Sequence, residues 1–278
     1  MYFRYKRISM DNRPVGIFDS GLGGLSALRV LRQLLPEENI VYFGDTGRNP
    51  YGVRSPEELR RMAREDMELA ASFGAKAIIA ACGTVSSTAP DVLASFRLPV
   101  FNVIDASVAA LAAVPGDAPL GVIATSASIK NGAFKRRLQA LCPGREIVDA
   151  ACQDFVRLIE HGHTDENDAE LIAAVEGYLA PLKARGVCAL LLGCTHFDFA
   201  EHAIKNYIGR DVRIVSASGC AAESMCGYLR EHDLLGAGGT TEYYTSGSAE
   251  SFTENAGALL GQNIAGHVHT ASAEGRAK

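Results

Sequence analysis

Short, unbroken apolar runs recur along this chain, and stretches with helical spacing separate them. That alternation constrains the fold more than any other feature. The runs at 15–18, 40–44, 77–81, 100–104, 121–125, 147–150, 189–192 and 212–215 are of strand length, and a weaker candidate lies at 242–245. A strand that is apolar on both faces must be covered on both, which is the habit of parallel sheets flanked by helices. Between the runs, Leu25, Leu28, Leu31 and Leu35 form one helical stripe, ended by Pro36. Ser55-Pro56-Glu57-Glu58 reads as a capping box with proline in the first turn, and Gly74 as the close of that helix. The expected class is α/β with mainly parallel sheets.

Two features favour two sheets over one. Pro115-Gly116-Asp117-Ala118-Pro119 breaks the chain near its middle, and the two halves look alike. When Cys82 is set over Cys194, AIIAACGT lies over ALLLGCTH. Each copy is a buried strand, a small residue, a cysteine, then small and polar groups leading into a helix. This is a single duplication and not a short-period solenoid.

With 278 residues, 47% of them apolar, the chain can bury a large core. Its net charge is −5 and no Lys/Arg run stands out, so no nucleic-acid or membrane surface is expected. The N-terminal MYFRYKRISM is mildly basic, but no apolar stretch follows it, and the organised pattern begins at Pro14. Neither a secretory leader nor a spanning segment is expected, and a cytoplasmic location is. The polar tail 271–278 is expected to be disordered. The seven cysteines form no CxxC pair, and an odd count in a chain this long argues against a disulfide framework. Most are expected to be reduced and to pack as small core residues. No metal-ligand spacing is present, and Lys76 and Lys130, the lysines nearest the motifs, are expected to be solvated or structural.

Ligands in open α/β sheets bind outside the carboxyl ends of the strands, and polar clusters fall there repeatedly. Asp19-Ser20-Gly21 follows the first run, Asp45-Thr46-Gly47 and Pro50-Tyr51-Gly52 the second, and Cys82-Gly83-Thr84 the third. Thr125 and Ser128 follow a run in the second half, and Cys194-Thr195-His196 a later one. Each has a plain structural explanation alone: Asp19 as a helix cap, Tyr51 as a rim aromatic, Glu160 as a solvated helix residue, a cysteine as packing. Gly21, Gly23 and Gly24 lack the GxGxxG spacing and are weak evidence for a dinucleotide. Together they say more. Two thiols at matching strand-to-helix junctions suggest one on each side of a cleft, where a helix N-terminus favours the thiolate. One thiol with His196 would suit a hydrolase. Two facing thiols suit removal of a proton from one face of a carbon and delivery to the other, which inverts a stereocentre.

PVGIFDSGLGGLSALRVLRQLLP, IVYFGDTGRNPYGVRS, AIIAACGT, GVIATSASIKNGAF, FVRLIEHG and LLLGCTHF occur in this order over nearly the whole chain from Pro14. In them the chain resembles the glutamate racemases of the cofactor-independent aspartate/glutamate racemase superfamily. The resemblance implies two pseudo-symmetric lobes, each a mainly parallel sheet flanked by helices, with the active site in the cleft between them. It implies a discontinuous first lobe, 1–106 plus 216–278, carrying Cys82, and a second lobe, 107–215, carrying Cys194. It implies Cys82 and Cys194 as acid/base thiols, Cys82 facing D-glutamate and Cys194 facing L-glutamate, assisted by Asp19, His196 and Glu160. Asp19, Ser20, Tyr51, Gly52, Gly83, Thr84, Thr195 and His196 match substrate-binding positions. It further implies no cofactor, no metal, a homodimer, and supply of D-glutamate for peptidoglycan.

The chain departs from the family pattern at four places. Gly83 stands where asparagine is usual, Ser128 where threonine is usual, Gln153 where a proline usually follows the cysteine, and Gly47 where alanine is common. The Gly83 change bears on substrate choice more than on proton chemistry, so racemisation of aspartate or another acidic amino acid stays open. A single-thiol hydrolase or lyase built on Cys194 and His196, and a non-catalytic amino-acid-binding protein, are further alternatives.

Overall fold

The computed structural model describes residues 10–276; the first nine residues of the basic N-terminal stretch and the last two of the polar tail lie outside the described residues. Among the described residues, ten strands are present: β1 (Val15–Asp19), β2 (Ile40–Gly44), β3 (Ala77–Ala80), β4 (Val100–Asn102), β5 (Leu120–Ala124), β6 (Ile147–Ala151), β7 (Ala189–Leu192), β8 (Arg213–Ser216), β9 (Thr241–Thr245) and β10 (Val268–Thr270). Nine fall on or within a residue or two of the apolar runs. The short edge strand β10, three residues with a histidine in the middle, carries too little apolar pattern to be seen in advance.

The strands form two sheets, β10-β9-β2-β1-β3-β4 and β6-β5-β7-β8. Every ladder is parallel. The order β2-β1-β3-β4 is repeated as β6-β5-β7-β8, so the duplication seen around the two cysteines extends to the whole strand order. In such an order the chain runs out in opposite directions from the central pair. The crevice at the ends of β1 and β3, and its copy at β5 and β7, is therefore where a ligand fits. The last third of the chain returns to the first sheet, adding β9 beside β2 and β10 beyond it.

Alternation of side chains sends each strand's residues into both covering layers. In β1, Val15 and Ile17 join the core that runs through both sheets, while Phe18 joins the smaller cluster on the other face. In β3, Ala77 and Ile79 face the first cluster, and Ile78 and Ala80 the second. The helix Leu25–Leu34 buries Leu25, Leu28 and Leu31 on one stripe. The helix Pro56–Ser72 carries the expected capping box, with Ser55 and Glu58 bonding each other's backbone, and Gly74 follows it at φ +81°.

Of the two roles expected for Lys76, the structural one holds: its side chain is fully buried, and Nζ donates to Glu38 Oε1 at 2.9 Å, to the Asp11 carbonyl at 2.7 Å and to the Leu234 carbonyl at 2.6 Å. It ties the start of β3 to the segment before β2 and to the return from the second sheet. The described part of the tail is docked and not disordered: Ala273 is buried, Ala271 N–H donates to Thr245 O, and Gly275 N–H to Glu65 Oε1. Lys130 is exposed, as expected.

Lys76→Met leaves Glu38 buried without its cation. It should lower the unfolding free energy by about 3–5 kcal/mol, measured by chemical denaturation; a loss below about 1 kcal/mol would show that the pair is not what joins these segments.

Candidate active site

A cavity of about 360 Å³ lies between the carboxyl ends of the two sheets. From the first sheet it is lined by Asp19 and Ser20 after β1, by residues 49–53 after β2, and by Cys82, Gly83 and Thr84 after β3. From the second it is lined by residues 125–128 after β5, by Gln153, Val156 and Glu160 after β6, and by residues 193–196 after β7. All sequence-predicted site residues therefore meet in one place, and both thiols line it.

Glycine makes this meeting possible. A Cβ on Gly23 would fall 2.2 Å from Thr195 Oγ1 and 2.6 Å from His196 Nδ1. A Cβ on Gly83 would fall 3.0 Å from the Gly193 carbonyl oxygen. At Gly23 the turn of one half thus approaches side chains of the other at distances that only an absent side chain allows, and at Gly83 the approach is tight. The glycine-rich turn, weak as a nucleotide motif, has this packing role. Tyr42 holds it by donating from its hydroxyl to Gly21 O at 2.8 Å.

Around the second thiol, His196 links two partners. Its Nδ1 lies 3.8 Å from Cys194 Sγ and its Nε2 3.0 Å from Glu160 Oε1. Burial disfavours the imidazolium, but hydrogen bonds to Cys194 and Glu160 and their charges outweigh it, and His196 is pushed up to about 10. An imidazolium donates from both nitrogens, which suits a sulfur on one side and a carboxylate on the other. Glu160 is thus a partner of His196 and not a purely solvated residue.

The first thiol differs. Cys82 Sγ donates to Ser20 Oγ at 3.5 Å, and burial first, then the nearby Asp19 charge, pushes it up to about 12. This corrects the expectation that its helix N-terminus would favour the thiolate. The helix Gly83–Thr88 has only six residues, and loss of water outweighs its N–H groups. Asp19 is also raised, by burial above all, although His196 and the N–H of Gly21, 2.9 Å from Oδ1, pull the other way. Thr195 Oγ1 reaches Asp19 Oδ2 across the cleft at 3.5 Å.

Tyr51 is no rim aromatic. Its side chain is buried and its hydroxyl is engaged by Asp45 and Asp66, and it lines the cavity together with Gly52. Asn49, Ser126, Ala127, Gln153, Val156 and Gly193 were not singled out as site residues beforehand. Gln153, Val156 and Glu160 sit at spacings of three and four on the helix Gln153–Glu160, the one sequence signal that could have found them. Among the described residues, no Lys or Arg lines the cavity, and no group of three His, Cys, Asp or Glu is placed to hold a metal ion. No helix among them is long and apolar enough to cross a membrane.

Comparison with known proteins bears on this arrangement. The model of the Asp/Glu/hydantoin racemases matches residues 26–225, well over half of the chain and spanning both cysteines. The chain belongs to that racemase family. Relatives in it include glutamate racemase 2 of Caldanaerobacter subterraneus, 34% identical over 92% of this chain and 96% of its own. The glutamate racemase of Geobacter metallireducens is 35% identical over 95% of this chain and 98% of its own. Among solved structures, the glutamate racemase of Francisella tularensis in complex with D-glutamate superposes with a TM-score of 0.85 at 31% identity, over 95% of this chain and 99% of that one.

Gly23→Ala should displace Thr195 and His196 and reduce turnover by about 100-fold, the scale of an ångström misplacement, with the circular dichroism spectrum retained; an unchanged rate would show that the turn can move freely. An NMR titration should find His196 protonated through neutrality. Because its pKa lies above the ordinary 6.5, its stabilising share is full below 6.5 and lost as pH rises towards about 10. Glu160→Gln should move the midpoint down, and no movement would mean that Glu160 is not its partner.

Proposed function

We propose that this chain interconverts L- and D-glutamate by two-thiol proton transfer without a cofactor. The observation that carries the reading is the convergence of Cys82 and Cys194, from matching strand ends of the two sheets, on one cavity. The lobes are read as 1–106 plus 216–278 and 107–215, a division that sheet membership supports to within one residue, since β8 of the second sheet ends at Ser216. The family and its glutamate racemase relatives support the substrate.

Starting from L-glutamate, Cys194 as thiolate takes the α-proton. The C–H electron pair stays on the substrate, delocalised into the α-carboxylate. The Cys82 S–H bond then breaks and its proton forms the new C–H bond on the opposite face. A thiol held in its protonated form, as Cys82 is, suits that donation. His196, protonated and 3.8 Å from Cys194 Sγ, holds a hydrogen bond to the thiolate and is itself held by Glu160. Asp19 stands beside Cys82 and serves the reverse direction, in which Cys82 must first lose its proton. Since no Lys or Arg among the described residues lines the cavity, the carboxylates of the substrate are met by hydroxyls of Ser20, Thr84, Ser128 and Thr195 and by backbone N–H groups near Gly52, Gly83 and Thr195. General acid/base transfer contributes about 10²–10⁴-fold, and preorganised dipoles in a site closed to water supply much of the rest.

Resemblance to the glutamate racemases supports a cytoplasmic homodimer that supplies D-glutamate for peptidoglycan. A second reading, the same chemistry on aspartate or another acidic amino acid, draws on Gly83. The side-chain amide usual there is absent, and a Cβ would already press on the Gly193 carbonyl. A hydrolase using only Cys194 and His196 leaves Cys82 and Asp19 in the cavity without a task.

Incubation in D₂O without added cofactor separates these readings. Glutamate of either hand should lose its α-proton signal and its optical rotation, and Cys82→Ser should lower racemisation in both directions by about 10²–10⁴-fold. Exchange of aspartate with glutamate untouched would transfer the proposal to aspartate; full activity in Cys82→Ser would sink the two-thiol mechanism.

A further inference from the structure

Behind the wall of the cavity made by residues 49–53 lies a buried polar cluster that the proton-transfer chemistry does not use. Arg48 is its centre: Nε donates to Asp45 Oδ2 at 2.6 Å, one terminal nitrogen to Glu65 Oε2 at 2.5 Å, and the other to Asp66 Oδ1 at 2.7 Å. Arg61 adds a second cation on Glu65, at 2.9 Å. Three carboxylates thus face two guanidinium groups, and Asp45, Glu65 and Asp66 are all buried. If every group were ionised, one negative charge would remain uncompensated out of water, which is costly.

The hydroxyl of Tyr51 shows where the balance is restored. It lies in hydrogen-bond contact with Asp45 Oδ2 and, at 2.7 Å, with Asp66 Oδ2. A phenol has one proton and cannot donate to both. One carboxyl must therefore donate to the phenol oxygen. Asp45 is the wrong choice: its Oδ2 already accepts from Arg48 and its Oδ1 from the Ser246 hydroxyl at 2.6 Å. Asp66 Oδ2 has no cationic donor; its other oxygen takes the Arg48 bond. We infer that Asp66 is a neutral carboxylic acid whose Oδ2–H donates to Tyr51, which donates to the Asp45 carboxylate, and that this directional chain positions the Tyr51–Gly52 backbone in the wall of the cavity. The direction of the Asp66 shift, well upward through burial and the adjacent Asp45 charge, agrees. Asp66 is a positioning residue: it reaches the cavity only through Tyr51.

The kinetic part of the test rests on the glutamate racemase reading; the spectroscopic and stability parts do not, so the two can fail separately. An asparagine is the isostere of the proposed acid, since Nδ2 donates to Tyr51 while Oδ1 still accepts from Arg48. Asp66→Asn should leave the melting temperature unchanged and keep the KM for glutamate within about threefold of the unmodified enzyme, a difference of about 0.7 kcal/mol. Asp66→Ala and Tyr51→Phe should raise KM by tenfold or more with a smaller effect on kcat, because the chain that holds the wall is cut. Asp45→Asn should be as harmful as Asp66→Ala, because it removes the charge that balances Arg48 and turns an amide N–H towards the Ser246 hydroxyl, which now donates to Oδ1. Infrared difference spectra against Asp66→Asn should show the carbonyl stretch of a protonated carboxyl at neutral pH, absent from the variant. The inference is overturned if Asp66→Asn is as damaging as Asp66→Ala, if Asp45→Asn is the harmless variant, or if no protonated carboxyl band is assigned to Asp66. An enzyme inactive on glutamate but showing the band and the Asn/Ala contrast in melting temperature would uphold the protonated network and overturn only the substrate.

Discussion

Everything at the site depends on how closely two strand-end turns approach across a cleft. Gly23 lets the turn after β1 sit against Thr195 and His196, and Gly83 lies against the Gly193 carbonyl. Parallel sheets place their strand-to-helix loops at one end, and two such sheets facing each other by that end bring two sets of these loops together. What keeps the sets from merely touching at their tips is the absence of a side chain at Gly23. A methyl group at Gly23 would occupy the space of the Thr195 hydroxyl, and the thiol, hydroxyl and imidazole of the second half would retreat from the carboxylate of the first.

The same closeness sets the electrostatics. Side chains that could be solvated on an open strand end are shut off from water here, and burial is the largest influence on Asp19, Cys82 and His196 alike. The two halves resolve it differently. His196 gains two acceptors and keeps its proton, whereas Cys82 has a hydroxyl and a carboxylate for neighbours and stays a thiol. Structural symmetry therefore carries chemical asymmetry: one sulfur is paired with a cation and the other with an acid. Behind the wall, the cluster around Arg48 follows the same rule, since a buried surplus of negative charge is removed by keeping a proton.

Much of this was legible in the residues. Apolar runs without alternation indicated two-sided strands, and AIIAACGT over ALLLGCTH indicated the duplication that the strand order repeats. The ordered motifs placed the chain among the racemases, and polar clusters at strand ends marked most of the cavity. The residues missed were those with a weak local signal or none. Gln153 and Val156 belong to the site through a helix face, Asn49 and Ala127 through loop shape. The docked tail was misjudged because burial is a property of what packs on a residue, and no neighbour in sequence reports it.

The amino-acid sequence by itself determined the elements, their parallel pairing, the duplication and the chemical kinds of group at the strand ends, because periodicity and capping act over a few residues. Only the tertiary structure decided which group keeps its proton, which glycine is a contact and which side chain faces the cavity. Those outcomes depend on water removed and charges brought near by residues far apart in the chain, such as Asp19 with Thr195 and Arg48 with Asp66. Desolvation and Coulomb interaction act through space, and their strength exists only once the chain has closed.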